Sequence, residues 1–592
     1  MQYLFGSILI CSDAVISERS ITHGVCLTDP AESRQPASTS NHHFSTVDSS
    51  TPNIHITSTH LALCPTTISK HNPNRTITMS TSSSPSLDPE SDYLLKSYTQ
   101  LRTLLSHKIS SPSSSPITPS SPSLSSLSLH KEIPPLPLDQ TVTTNHLLHT
   151  ILPNLNNQSI SPNYYAFVTG SVLPIAQFAD NIVTALDQNV QVHLPLHSPS
   201  TQIEDSALCM LLSLINFDQE EWKGRTFTTG ATAGNILGLA CGREYIINKR
   251  LPEGKTVAEL GFLRACKEGG VQDVQVLTSL SHSSLSKAAS VVGLGTGNVK
   301  QIGQKEKEWR LDLDRLEKEL KEGEENGVVS IIAVSAGEVN TGRFATGVFD
   351  MPKIRSLADR YGAWVHVDGA FGLFVRALPK TDEFLALHAA VAGLELADSI
   401  AADGHKMLNV PYDNGIFLCR NASILTQVCS NPNAAYLSSP SSSTSQILSP
   451  LNIGIENSRR FRALPVYAVL LSEGRQGMGS MFSRMALLAR RIAALIRDSE
   501  HYDWLPSPNA SLESTFIIVL FRAKDEALNQ ILVDRINGSG KMYVSGTMWE
   551  GKKAVRLAVS TWRVDVERDI KIVEEVLTAV VAEHFDSAQA QE

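Results

Sequence analysis

Between about Leu138 and residue 425, short apolar runs alternate with segments whose apolar residues recur every three or four positions. VQDVQVLTS (271–279), VVSIIAVSA (328–336) and AWVHVDGAF (363–371) have the length and Val/Ile density of strands buried on both faces. LDLDRLEKELKEG and MPKIRSLADRYG lie between them at helical spacing. This order predicts an α/β fold, with a mostly parallel central sheet whose strands are joined by helices. A polar break at 437–450 is followed by the helical run MFSRMALLARRIAALIRD and then by STFIIVLF and AVRLAVST, which read as strands. The expected organisation is a helical segment over 138–199, a large domain over 200–450 and a smaller C-terminal α+β domain over 451–592. No internal repeat is present.

Residues 1–92 are rich in Ser, Thr, Asn and His and show no periodicity, so a disordered extension is expected. The stretch TITMSTSSSPSLDPESDYLL suggests that translation starts at Met79. Residues 93–137 read as a short amphipathic helix carrying Leu94, Leu95, Leu101, Leu104 and Leu105, then an extended, solvated Ser/Pro linker.

Composition narrows the function classes. Lys+Arg 50 against Asp+Glu 59 leaves a net charge of −9, which provides no global field for nucleic acid or an anionic membrane. Eight cysteines form no CxxC pair, so neither a disulfide scaffold nor a zinc ribbon is expected, and no metal site. No stretch reaches the roughly 18–20 apolar residues of a membrane span. The apolar N-terminal run has no basic residue before it, so no targeting signal is read and a cytoplasmic enzyme is expected.

Four clusters carry candidate chemistry. Thr228-Thr229-Gly230-Ala231-Thr232-Ala233-Gly234-Asn235 leads into a helical run, and its small residues and helix N-terminus suit a phosphate. On its own such a Gly-rich turn before a helix is more often just a tight connection. His282 follows the strand VQVLTS, at the strand end where open α/β sheets bind ligands, or it is a structural histidine. Asp368 ends the strand WVHVD, where a carboxylate calls for a cationic or protonated partner, such as a pyridine nitrogen, unless it caps a turn. Ala370 leaves room for a flat ring. Lys406, in ADGHKMLNVP, lies among apolar and small residues, where desolvation frees an amine for a Schiff base.

An anion seat, a ring-stacking group, a carboxylate and a lysine together suit pyridoxal 5'-phosphate. TTGATAGN, SHSSLSKAA, HVDGAFG, ADSIAADGHKMLNVPYDNGIF and SRRFRALPVYA resemble the successive motifs of the group II pyridoxal-phosphate-dependent amino-acid decarboxylases, from about Tyr164 to the C-terminus. The resemblance implies the type I aminotransferase-like fold, a homodimer with active sites at its interface, and carboxy-lyase activity on an L-amino acid. It also implies that Lys406 carries the cofactor aldehyde, Asp368 holds the ring nitrogen protonated, and His282 and Ala370 lie against the two ring faces. Ala231 and Thr232 contact the phosphate, and His405 helps to place the cofactor.

Two departures bear on the reaction. Aromatic-branch decarboxylases carry a proton-delivering loop tyrosine before the RRFR motif. The stretch from Leu437 to Arg459 contains none, Tyr436 at its start being assigned to the preceding structural motif. Val339 stands where the family usually has a threonine. The outcomes are therefore an amine, or an aldehyde or keto acid from an aldehyde-forming decarboxylase or aminotransferase of the same fold. Tyr164, Tyr165 and Phe167 either line a pocket for an aromatic substrate or belong to the core. Arg459, Arg460 and Arg462 either bind a carboxylate or brace an interface, at least one of them being structural. Two readings from other classes are a nucleotide-dependent dehydrogenase, for which Gly293-Leu294-Gly295-Thr296-Gly297 lacks the last glycine of GxGxxG, and a non-catalytic scaffold.

Overall fold

The computed structural model describes residues 88–110, 116–127, 129–431, 447–507 and 509–589. Residues 1–87, which carry most of the expected extension and the Met79 start, lie outside them, as does Tyr436. Seven strands form the large sheet: β1 (Gly224–Thr228), β2 (Asp273–Thr278), β3 (Val299–Gln301), β4 (Val328–Ser335), β5 (Trp364–Asp368), β6 (Ser399–Asp403) and β7 (Gly415–Cys419). Their order is β1-β7-β6-β5-β4-β2-β3. Strands β2 to β6 pair in parallel, and β7 is antiparallel to both its neighbours. The fold is thus the expected α/β type with a mostly parallel sheet.

The antiparallel strand has a simple cause. Only the short connection 404–414 separates β6 from β7, too little chain for a parallel crossover, so the chain turns back at the sheet's C-terminal edge. Lys406 lies in that turn. Register levels the strand ends, with Asp368 opposite Ser335 on one side and Ala401 on the other.

Helix α1 (Pro89–Ser110) contains the leucines expected of it, and none of its residues is buried. The Ser/Pro segment after it is not fully solvated. Ile117 is buried in a small cluster with Tyr164 and Ala166, and its carbonyl accepts from the Asn157 amide at 2.8 Å. Helix α2 (Ala231–Asn248) follows β1 and packs across the large sheet. Gly234, Gly238 and Gly242 form its sheet-facing ridge. A Cβ at each would come within 2.7 Å of Ala401, 2.3 Å of His366 and 2.8 Å of Trp364, so glycine is what lets α2 lie this close.

Helix α3 (Ser283–Val291) follows β2. The long helix α4 (Ala463–Arg497) bends at Gly474, whose φ of 57° breaks the helical path. It leads to a second, antiparallel sheet of β8 (Tyr502–Leu505), β9 (Ile518–Ala523), β10 (Ser545–Trp549) and β11 (Lys552–Ala558), in the order β10-β11-β9-β8. Helix α5 (Val566–Gln589) completes this α+β region. One continuous core includes Leu277 and Ile332 of the large sheet and Phe521 and Val555 of the small one. Among the described residues, no helix is long and apolar enough to cross a membrane.

Candidate active site

Strand ends from β1, β2, β5 and β6 open onto one cavity of about 700 Å³ at the C-terminal edge of the large sheet. Lys406, His282, Asp368, Ala370, Ala231, Thr232 and His405 all line it. Residues up to 175 positions apart in sequence, from Ala231 to Lys406, are therefore brought to one place.

The lysine is not the solitary amine that its apolar surroundings suggested. Its Nζ lies 2.7 Å from Asp403 Oδ2, and the Asp403 side chain is only 4% exposed. The other Asp403 oxygen accepts from the Ala231 amide at 2.6 Å, at the N-terminus of α2. That bond engages one of the two residues expected to face a phosphate. Thr232, the next residue in the first turn, keeps its amide clear of intrahelical bonding. His405 donates from Nδ1 to the Asn414 carbonyl at 2.8 Å, and its ring packs at 4.6 Å on Tyr412. Burial holds the His405 imidazole below its ordinary pKa, against the pull of Asp403.

Asp368 is held by donors rather than by a cation. Its Oδ2 accepts from Asn235 Nδ2 at 2.9 Å and its Oδ1 from the Ala370 amide at 3.2 Å. His282 caps α3, its Nδ1 accepting from the Ser284 amide at 3.1 Å, which leaves Nε2 as the protonated nitrogen of the neutral ring. Burial lowers its pKa, with Asp368 pulling the other way.

The structure divides the other candidates. Tyr164 and Phe167 line the cavity, whereas Tyr165 is fully buried in the core, where Asn163 donates to its hydroxyl at 2.8 Å. Burial pushes the Tyr164 phenol up to about 12. Phe167 adopts φ 58°, a strained conformation for a bulky residue. Arg459, Arg460 and Arg462 all have carboxylate partners, in Glu204, Asp180, and Glu456 with Asp413. They brace the structure.

Sequence reasoning missed Asp403, although it quoted the motif, and missed Arg556 altogether. Arg556 lines the cavity, 6% exposed, and its Nε and one Nη donate to the carbonyls of Val339 and Phe167. It has no carboxylate partner among the described residues, and burial lowers its pKa to about 10. Tyr412 also lines the cavity and was not singled out. Its place six residues after Lys406, in the same connection, was the available signal.

Residues 137–524 match the model of the pyridoxal-dependent decarboxylase conserved domain. The chain is 26% identical over 372 residues to L-2,4-diaminobutyrate decarboxylase of Acinetobacter baumannii, covering 60% of this chain and 68% of that protein. It is 25% identical over 422 residues to phenylacetaldehyde synthase of Petunia hybrida, covering 69% and 78%. Among solved structures, Oryza sativa TDC with PLP and tryptamine superposes with a TM-score of 0.71 at 22% identity, covering 84% of this chain and 100% of that one.

Proposed function

Because the chain belongs to the pyridoxal-dependent decarboxylase family, and is a carboxy-lyase that uses pyridoxal 5'-phosphate on an amino acid, we propose that its substrate is an aromatic L-amino acid and its product the amine. The observation that carries this reading is the wall of the Lys406 cavity, which includes Tyr164, Phe167, Phe371 and Tyr412. A planar apolar side chain packs well against such rings.

The residues fit the cofactor. Lys406 supplies the amine for its aldehyde, Asp368 the carboxylate for its ring nitrogen, and Ala370 the small side chain beside a flat ring. At the N-terminus of α2 the Thr232 amide and hydroxyl would supply donors for a phosphate, the Ala231 amide being taken by Asp403. When bound, pyridoxal phosphate supplies the electron sink that accepts the pair left as CO₂ departs. Asp368 would keep a proton on the ring nitrogen and so maintain that pull. His282 would lie against one face of the ring and Ala370 against the other, His405 would position the lysine turn, and Asp403 would hold the Lys406 amine in place when the lysine is free.

Arg556 favours a second reading, an acidic substrate. A cation is of most use to a carboxylate that survives the reaction, because pairing with the departing carboxylate stabilises the ground state more than the transition state. In the aromatic reading Arg556 instead anchors the Phe167 segment through its carbonyl.

Phe167 and Tyr412 line the cavity and are nevertheless 60% and 53% exposed. This supports a homodimer in which a second copy covers the cavity mouth. Light scattering on the eluting protein tests it, a monomer mass counting against the dimer.

A panel of aromatic, acidic and basic amino acids, assayed for CO₂, ammonia and peroxide, tests substrate and product together. CO₂ and amine from an aromatic substrate, without peroxide, is the expected result. Turnover confined to acidic substrates selects the second reading, and ammonia with peroxide identifies an aldehyde-forming enzyme. Tyr436→Phe in the same panel asks whether that residue delivers the Cα proton. Unchanged amine output assigns the proton to another group.

A further inference from the structure

Behind Asp368 lies a chain of hydrogen bonds that the proposed roles do not use. Asn235, the fifth residue of α2, is fully buried, and so is His366 in β5. Trp364 Nε1 donates to Ser399 Oγ at 3.0 Å, Ser399 Oγ lies 2.9 Å from His366 Nδ1, and His366 Nε2 lies 2.9 Å from Asn235 Oδ1. Asn235 Nδ2 then donates to Asp368 Oδ2 at 2.9 Å and to Ser284 Oγ at 3.1 Å.

The direction of each bond follows from what each atom can do. The Asp368 carboxylate only accepts, so the edge of Asn235 facing it is the NH₂ group. The carbonyl edge therefore faces His366, whose Nε2 has to be protonated, and Nδ1 accepts from Ser399. A flipped amide would set Oδ1 against the carboxylate and two N–H groups against an N–H. Ser284 Oγ, receiving from Asn235, passes its own proton to His282 Nδ1 at 2.8 Å. The amide of Asn235 thus ties together the Asp368 carboxylate and, through Ser284, the His282 imidazole. The close approach of α2 at Gly238, where any Cβ would collide with His366, is what lets this network form.

We propose that Asn235 is a positioning residue for the cofactor, acting through Asp368, and that His366 locks its amide in the donating orientation. This rests on the reading that Asp368 faces the ring nitrogen. Asn235→Asp keeps the shape and replaces the donor with an acceptor. His366→Phe keeps an aromatic ring and removes the lock.

The test titrates cofactor-free protein with pyridoxal 5'-phosphate, following the visible band, with melting temperature measured alongside. Wild-type protein that takes up no cofactor refutes the underlying reading rather than this one. Asn235→Asp is expected to bind about tenfold more weakly or worse, with a displaced visible band, since a hydrogen bond to a charged group is lost. His366→Phe is expected to bind about threefold more weakly, as a neutral bond in the same network is removed. The double variant should be no weaker than Asn235→Asp alone, because His366 acts only through that amide. Wild-type affinity and spectrum in Asn235→Asp, or losses that multiply in the double variant, overturn the proposal. If Asn235→Asp does not fold, unchanged affinity in His366→Phe overturns it.

Discussion

Four buried or partly buried arginines occupy two regions of this molecule under different terms. Arg459, Arg460 and Arg462 precede α4, and each meets a carboxylate from the protein itself. Arg459 is the extreme case, 1% exposed and bidentate to Glu204 at 2.7 and 2.6 Å. Arg556, on β11, is buried to a similar degree, yet only backbone carbonyls meet it. The sequence drew attention to the first group, because three arginines close together are conspicuous. The lone arginine is the one that lines the lysine's cavity. What separates bracing from binding is whether the protein has already neutralised the charge, and this depends on partners distant in sequence.

Breaking the braced side should give the largest effect. Arg459→Met strands Glu204 as a buried, unpaired charge and should cost about 3–5 kcal/mol of stability. Denaturant unfolding measures that loss, while turnover per folded molecule stays at the wild-type level.

The histidine beside the site sharpens the contrast, being buried without any ion partner. Burial depresses the His366 pKa to about 4 from 6.5. Between pH 6.5 and 4 the unfolded chain takes up a proton that the folded protein refuses, so stability falls as pH falls through that window. The stability at stake is about 3 kcal/mol, present in full above pH 6.5. Unfolding free energies measured across this range should fall less steeply in His366→Gln, and an unchanged slope would rule out this source.

The unpaired side should respond with the opposite signature. Arg556→Met should lower kcat/KM by about fiftyfold for a substrate with a second carboxylate, the scale of a lost charged hydrogen bond, and by far less for an aromatic one, with little change in melting temperature. A melting temperature that collapses with normal kinetics would make Arg556 another brace. The smallest effect belongs to Phe167, whose carbonyl Arg556 holds. Phe167→Gly relieves a left-handed backbone, so stability should rise by ~1 kcal/mol while selectivity for aromatic substrates falls. A loss of stability would mean that the Phe167 ring contributes more than its backbone costs.

The fold was legible because its strands are apolar runs punctuated by helical periodicity, and those signals are local. The seven lining residues were legible because each sits in a short motif at a strand end. Asp403 was overlooked although it is three residues from Lys406, since a sequence does not show whether a neighbouring acid turns towards the amine. Asn235 and His366 lie inside motifs that were legible, and Arg556 in a strand run, but all three act through partners more than a hundred residues away, which their own neighbourhoods do not reveal. Tyr165 was unresolvable beside Tyr164, because adjacent residues of an extended segment face opposite ways and the sequence alone does not say which way is in. The Ser/Pro segment at Ile117 shows the same limit, with one apolar residue finding a small cluster that composition could not foretell.

Borohydride reduction of the purified yellow protein, followed by peptide mass spectrometry, tests the central claim most directly. A phosphopyridoxyl group on Lys406, with loss of the visible band and no labelling of Lys406→Ala, is the predicted result. A label on a different lysine, or a visible band and turnover that survive in Lys406→Ala, would contradict it.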